Sequence, residues 1–319
     1  MALAPKRAPD SDSGGPSSKR PHTERPFDWK LTLSTPQTFK TLLSIVEPTV
    51  SNVPFQVCMD DDDDGEGAGF TGLRMDAMNS SKVCMVKTAY RCQVEVSTVL
   101  CNPSFCVKTD LLKNMLRDVD ASHVVEIIRY RGSDKLAILG YSADSNDMSD
   151  SELCMLHDDT DIHELDMFNL TFNYVVEIEL DRLKKVCHIA TSINSSVVEF
   201  SVGTPVGKDS DHYFTIRAEG EGCSVSKVYH GKTAQPEGGE QRLSVGSGAA
   251  TTGGCEGRHE LVNHFKGAFP TVYLSGVLKS MERQTIQLYM NPGMPLVLHY
   301  GLGDEMSYIK IVLAPRVSD

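Results

Sequence analysis

From Phe27 onward the apolar positions change period repeatedly, and each change marks an element. In "WKLTL", Trp29, Leu31 and Leu33 alternate with polar residues, the two-residue period of a half-buried strand. "STPQTFKTLLSIV" then sets Phe39, Leu42, Leu43 and Val46 at helical spacing. A Ser/Thr pair suited to capping precedes them, with an early proline whose missing N–H costs a first turn nothing. The order returns later: "YVVEIEL" alternates Val176, Ile178 and Leu180, and "DRLKKVCHIA" sets Leu183, Val186, Cys187 and Ala190 at helical positions. Each of these four lies 144 residues after its counterpart, which predicts an internal duplication. A second helix is predicted in each half, "KTDLLKNMLRDV" on Leu111, Leu112, Met115, Leu116 and Val119, and "YLSGVLKSM" from Tyr273 to Met281.

The segments without periodicity divide the chain. Residues 1–26, rich in Pro, Ser, Gly and charge, predict a disordered tail whose pairs Lys6-Arg7 and Lys19-Arg20 suit a bipartite nuclear-import signal. Residues 27–152 and 173–319 are the two predicted domains, joined by an acidic connector at 153–172. The Gly-rich stretch 232–257 predicts a long mobile loop. The resulting pattern is short strands interrupted by few helices, which the α+β class would show.

Composition narrows the function classes. The 319-residue chain is 40% hydrophobic, enough for two cores. It shows neither a membrane-length apolar run nor a signal-peptide pattern, so an intracellular protein with no membrane partner is expected. Nine cysteines without a C-x-x-C pair predict reduced, mostly buried thiols, and the sequons at Asn79, Asn169 and Asn194 have no glycosylation context. A formal net charge of -12 argues against nucleic acid until the charges are located.

Three motifs come close to chemistry and fail. Counting from Asp60, the calcium-loop pattern reaches Thr71 where a bidentate Glu is needed. The G-x-G-x-x-G of Gly67, Gly69 and Gly72 follows five aspartates and precedes a predicted strand, whereas a phosphate turn opens a helix. "HELVNH" separates His259 and His264 by one residue too many for two imidazoles to meet a metal on one helix face. With no nucleophile motif either, no catalytic residue, metal site or cofactor is expected, and a cation-dependent enzyme built on Asp60 to Asp64 is the weakest of the readings. What remains is the distribution of charge. Lys113 and Arg117 are i, i+4 neighbours, Arg182 shares a face with Lys185, Lys184 and His188 flank it, and Lys40 and Lys279 lie on the polar faces of the other helices. The acidic runs fall in predicted loops.

Several segments together resemble a known family. "MPLVLHYGLGDEMSYIKIVLAPRV", Met294 to Val317, closely resembles the end of the proliferating cell nuclear antigen (PCNA) family of DNA sliding clamps, and "MNSSKVCMV" resembles that family's Met-Asp-Ser-Ser-His-Val segment. "TFKTLLSIVEPTV", "DKLAILGY" and "YVVEIELDRLKKVCHIATSI" follow in the family's order. The tail, the aspartate loop and the 232–257 loop depart from it, as in a divergent clamp of the kind a large DNA virus would carry.

The resemblance implies two similar domains, each with antiparallel sheets outside and two helices inside, assembled as a homotrimeric ring around duplex DNA. In that reading the chain is a non-enzymatic processivity factor that holds polymerase and other replication or repair proteins carrying PCNA-interacting-peptide motifs. A clamp loader serves it, in the nucleus or a viral replication compartment. Lys40, Lys113, Arg117, Lys184, Lys185, His188 and Lys279 would face phosphate; Thr41 and Glu47 stand where relatives tend to carry lysine, and His188 where they carry arginine. The implied peptide pocket comprises Met78, Lys82, Val83, Met85, Met155, Leu156, Pro295, Val312, Leu313, Ala314 and Pro315. The implied subunit interface takes "KLAILGY" with Lys135, Ala137, Leu139 and Tyr141, against Ser224, Ser226 and Val228 of "CSVSKVYHG". A clamp-fold factor working as monomer, dimer or heterotrimer member is the alternative.

Overall fold

The computed structural model describes residues 25–59, 69–97, 103–142, 148–157, 172–205, 212–234, 241–245, 261–283 and 285–316. The tail before Arg25, the aspartates at 60–64, most of the connector and most of the Gly-rich stretch lie outside them, and so do the expectations placed there.

The first half runs β1 (Phe27–Leu33), α1 (Pro36–Val46), β2 (Asn52–Cys58), β3 (Gly72–Met78), β4 (Cys84–Arg91), β5 (Gln93–Val96), β6 (Ser104–Lys108), α2 (Thr109–Met115), β7 (His123–Tyr130), β8 (Lys135–Ser142) and β9 (Met148–Cys154). The second runs β10 (Tyr174–Glu179), α3 (Leu180–Ser192), β11 (Val197–Pro205), β12 (His212–Gly220), β13 (Cys223–Ala234), β14 (Gln241–Ser244), β15 (Leu261–Pro270), α4 (Thr271–Lys279), β16 (Thr285–Met290), β17 (Leu296–Gly301) and β18 (Tyr308–Leu313). A five-stranded sheet has the order β5-β1-β7-β8-β9. A thirteen-stranded sheet has the order β15-β11-β12-β13-β14-β10-β16-β17-β18-β4-β3-β2-β6. The halves join by main chain, since β18 pairs antiparallel with β4 from Tyr308↔Ala89 to Leu313↔Cys84.

The 144-residue correspondence is physical. Phe39, Leu42, Leu43 and Val46 of α1 and Leu183, Val186, Cys187 and Ala190 of α3 are all 2% exposed or less. Each set is the apolar stripe that a helix must bury against its sheet. Around Phe39 the rings of Phe55 and Tyr90 lie at centroid distances of 6.0 and 5.1 Å, inside the range of favourable aromatic pairs. The expected Ser/Thr cap is corrected: Thr35 makes no capping bond to α1. Instead Tyr90 donates its hydroxyl to the Thr35 carbonyl at 3.1 Å, and burial pushes that phenol up to about 12.

Two other expectations change. The second helix of the first half is shorter than its pattern, because the chain leaves helical geometry at Leu116 (ψ 0); Leu112 and Leu116 are buried while Leu111 is exposed. The stretch 232–257 is not all loop, since β13 continues to Ala234 and β14 adds to the sheet beside β10. Likewise Leu261–His264 belongs to strand β15, which removes any helical histidine pair.

Candidate functional site

The four helices form one layer. α1 packs against α2 and against α4, and α4 packs against α3, giving the row α2–α1–α4–α3 across both halves. At helix spacings of 8–10 Å such a row is roughly 24–30 Å wide. Each helix turns its apolar stripe to the sheets, so its polar residues form the opposite surface. Lys185, His188 and Lys279 are exposed there and make no ion pair among the described residues.

The other expected phosphate contacts are tied within the protein. Lys40 Nζ donates to the carbonyls of Arg117 and Val119, at 3.0 and 2.9 Å, and so closes the chain end that follows α2. Lys113 forms an ion pair with Glu47 on α1, and Arg117 donates to the Asn114 amide oxygen. Lys184 donates to the Met281 carbonyl beyond α4. A concavity of about 570 Å³ between α1, α2 and the end of α4 gathers Lys40, Thr41, Lys113, Arg117 and Glu47. Arg182 points elsewhere, paired with Glu179 at 2.8 Å and stacked over Tyr229. The layer is thus uneven: in the first half Lys113 is neutralised by Glu47, and in the second Lys185 and Lys279 stand exposed without an ion pair among the described residues.

The expected interface strand β8 requires a correction. It is paired on both sides, with β7 and with β9, so Lys135, Ala137, Leu139 and Tyr141 lie inside the sheet and offer no main-chain edge. Ala137 and Leu139 are buried with Ile128 in a small apolar cluster. Among the described residues β9 is an open edge of this sheet, at the end of the first predicted domain, and the sequence did not mark it as a strand. Met155 N–H donates to Asp134 O, so by strand alternation the amides of Leu153, Ser151 and Ser149 also turn to β8. Those of Cys154, Glu152 and Asp150 point outward. The second expected interface segment does have an open side. Among the described residues, Cys223–Gly231 of β13 pairs only with β12, because β14 joins at Lys232. Glu219 N–H turns to Ser195 Oγ, which leaves the amides of Ser224, Ser226 and Val228 facing the free side. Gly220 seats this hairpin, since a Cβ there would lie 1.9 Å from the Ile193 carbonyl oxygen at the end of α3.

The expected pocket residues separate. Pairing across six strands aligns Val175, Tyr289, Val297, Val312, Met85 and Met78 in one transverse row on the face turned away from the helices. A sheet's outer face is ordinarily polar, so six consecutive apolar positions form a defined surface. Phe172 packs on it, 5.6 Å from Tyr289 by ring centroid. Met85, Val297 and Val312 are buried and Met78 is exposed. At one end Ala314 N–H donates to Val83 O at 2.9 Å, beside the turn where Lys82 takes a positive φ of 57°. Pro295 and Pro315 are half-buried. Three expected members sit elsewhere. Leu313 is fully buried in the main core because it alternates with Val312, Met155 packs on that same core, and Leu156 bridges to Cys106 at the β6 edge. Sequence reading missed Val175, Tyr289, Val297 and Phe172, which strand pairing alone brings together.

A polar row follows beside it: Glu177, Gln287, His299, Lys310, Lys87 and Asp76. Burial first, then the Lys310 ammonium, lowers the His299 imidazole from 6.5 to about 4. The unfolded chain takes up this proton near 6.5 and the folded one near 4, so the stabilisation present above 6.5 is lost as pH falls through that window. The melting temperature is expected to drop between about pH 7 and about 4.5, and His299→Gln should flatten that drop in thermal melts followed by circular dichroism.

Among described residues no group of three or more His, Cys, Asp or Glu side chains gathers as a metal site. Burial pushes the thiols of Cys84, Cys92 and Cys187 up to about 12, while Cys154 and Cys223 are exposed on β9 and β13.

No protein-family model and no curated protein matches this sequence. Solved structures do. PCNA from Thermococcus kodakaraensis is 17% identical over 90% of this chain and all of its own, with a TM-score of 0.66. Proliferating Cellular Nuclear Antigen from Entamoeba histolytica is 13% identical over 91% of this chain and all of its own, also at 0.66. At these identities the likeness establishes the fold, and this chain has the two-domain α+β clamp fold of those two proteins.

Proposed function

We propose that the chain is a DNA sliding clamp: a homotrimeric ring that encircles duplex DNA and tethers polymerase and other replication or repair proteins to it. The observation that carries this reading is the four-helix row, a broad surface that gathers lysine, arginine and histidine side chains on its polar face. Exposed Lys185, His188 and Lys279 suit weak, sequence-independent attraction to phosphate, which allows the duplex to slide while the ring prevents escape. Two open strand edges, β9 and Cys223–Gly231, suit closure by main-chain pairing between subunits, which also covers edges prone to aggregation. The outer apolar row suits the anchors of a short helical peptide from a polymerase or nuclease. No catalytic role is assigned to any residue; a clamp loader and a nuclear or viral replication site complete the reading.

Solution mass tests it. A ring of this 35.0 kDa chain is expected near 105 kDa, three chains, by light scattering after gel filtration. A stable 35.0 kDa species at micromolar concentration would replace the ring with the monomeric alternative.

A further inference from the structure

Lys310 stands in the polar row with an unusual set of neighbours. On β18 it lies two residues before Val312, so it borders the outer apolar row directly. Across the ladders it faces His299 on one side and Lys87 on the other. Like charges directly opposite each other on adjacent strands are destabilising. Lys87 has a remedy, its ion pair with Asp76 at 2.8 Å. Lys310 has none: it makes no ion pair among the described residues, and its ammonium lies 4.9 Å from the Tyr308 ring centroid. The remaining carboxylate of the row, Glu177, is three strands away, about 14 Å at ordinary strand spacing. His299 is neutral at physiological pH and supplies no charge.

Further positive charge lies close by. Arg74 occupies the same transverse line as Tyr308, two strands along through Ala89, and is exposed. Arg74, Lys87 and Lys310 therefore surround Tyr308, with Asp76 the acid paired among them. Burial and then Lys87 hold the Lys310 ammonium below its ordinary value, which is the direction expected of a cation lacking a counter-ion. A ligand carboxylate would offset the cost of that desolvation and the opposition of the two lysines by supplying a counter-charge.

We infer that Lys310, supported by Lys87 and Arg74, receives a carboxylate from the peptide that docks on the neighbouring apolar row, so that partners with an acidic residue beside their apolar anchors are selected. The inference rests on the docking reading above and names the chemistry of the partner that reading leaves open. Peptides whose flanks are basic would meet the same cluster as repulsion, so the surface discriminates in both directions.

The test uses the full chain and three short fluorescein-labelled peptides that share one aliphatic and two phenylalanine anchors. Their flanks carry glutamate, glutamine or lysine, and binding is read by fluorescence anisotropy. The glutamate flank is expected to bind about tenfold tighter than the glutamine flank. Lys310→Gln should abolish that advantage while leaving the glutamine peptide unchanged, and Lys310→Arg should keep it. Lys310→Glu should transfer the preference to the lysine flank, a reversal that loss of structure cannot produce. The glutamine variant is expected to melt at or above the wild type, because it removes the opposition with Lys87. Equal affinity for glutamate and glutamine flanks, or an advantage that survives Lys310→Gln, would overturn the inference and leave docking intact. Failure of all three peptides would overturn docking itself, and the inference with it.

Discussion

Glu152→Pro is expected to convert the proposed 105 kDa ring into single chains at low micromolar concentration, while each chain keeps its fold; this is the largest effect expected of any one substitution. The reason is the direction of one amide. In β9 the N–H groups alternate between β8 and the open side, and that of Glu152 faces outward. Proline there removes no bond from the existing ladder, and such positions on edge strands tolerate it. Within the chain the substitution removes only the solvent-exposed pair between Lys135 and Glu152, which water screens. Between subunits the consequence differs, because the pyrrolidine ring sits where a neighbouring strand must approach to about 4.8 Å and a ladder donor is missing. Ser151→Pro is the paired control. Its amide points to β8, so it should lower the melting temperature and leave the remaining folded protein defective in both respects. Analytical ultracentrifugation across a dilution series distinguishes them. A Glu152→Pro protein that remains trimeric to the same dilution as wild type would exclude β9 from the joint.

That strand also shows where sequence reading stops. Helices α1 and α3 were legible because one buried stripe at a 3.6-residue period leaves a pattern in the chain itself, and the 144-residue register made it visible twice. β9 left no such pattern. Its residues are mostly exposed, so burial imposes no alternation of apolar positions, and its start falls in an acidic run that reads as loop. The resemblance pointed to β8, which is mostly apolar and paired on both sides, so that expectation fell on a strand without an open edge. The outer row was hidden for another reason. Val175 and Met78 lie in different halves of the chain, and Tyr289, Val297 and Val312 read singly as ordinary strand positions; only cross-strand pairing makes them neighbours. For the helix layer, sequence located every cation but not what each was bonded to. Glu47 was visible as a departure from lysine, yet its pairing with Lys113 requires α1 and α2 to be side by side.

That pairing leads to the second large effect, on duplex binding. Lys113 and Glu47 cancel, and as an exposed pair, 37% and 38% accessible, they add little stability. Replacing both, Glu47→Gln with Lys113→Gln, leaves the net charge of the layer unchanged and is expected to leave affinity for duplex DNA within about twofold. Lys185→Gln with Lys279→Gln removes two exposed cations from each subunit and is expected to weaken binding at low salt by at least about tenfold. The slope of log affinity against log salt should also flatten by about 0.9 for each phosphate no longer neutralised. Glu47→Gln alone frees Lys113 and should tighten binding several-fold, with a steeper salt slope. The measurement is retention of the ring on a nicked circular duplex across a salt series, with linearised duplex as the escape control. If the Glu47 and Lys113 double variant lost as much affinity as the Lys185 and Lys279 one, the uneven layer would be the wrong description of the phosphate-facing surface. If Glu47→Gln alone gave no gain, Lys113 would have to lie beyond reach of the duplex, and the second half of the layer would carry the electrostatic attraction by itself.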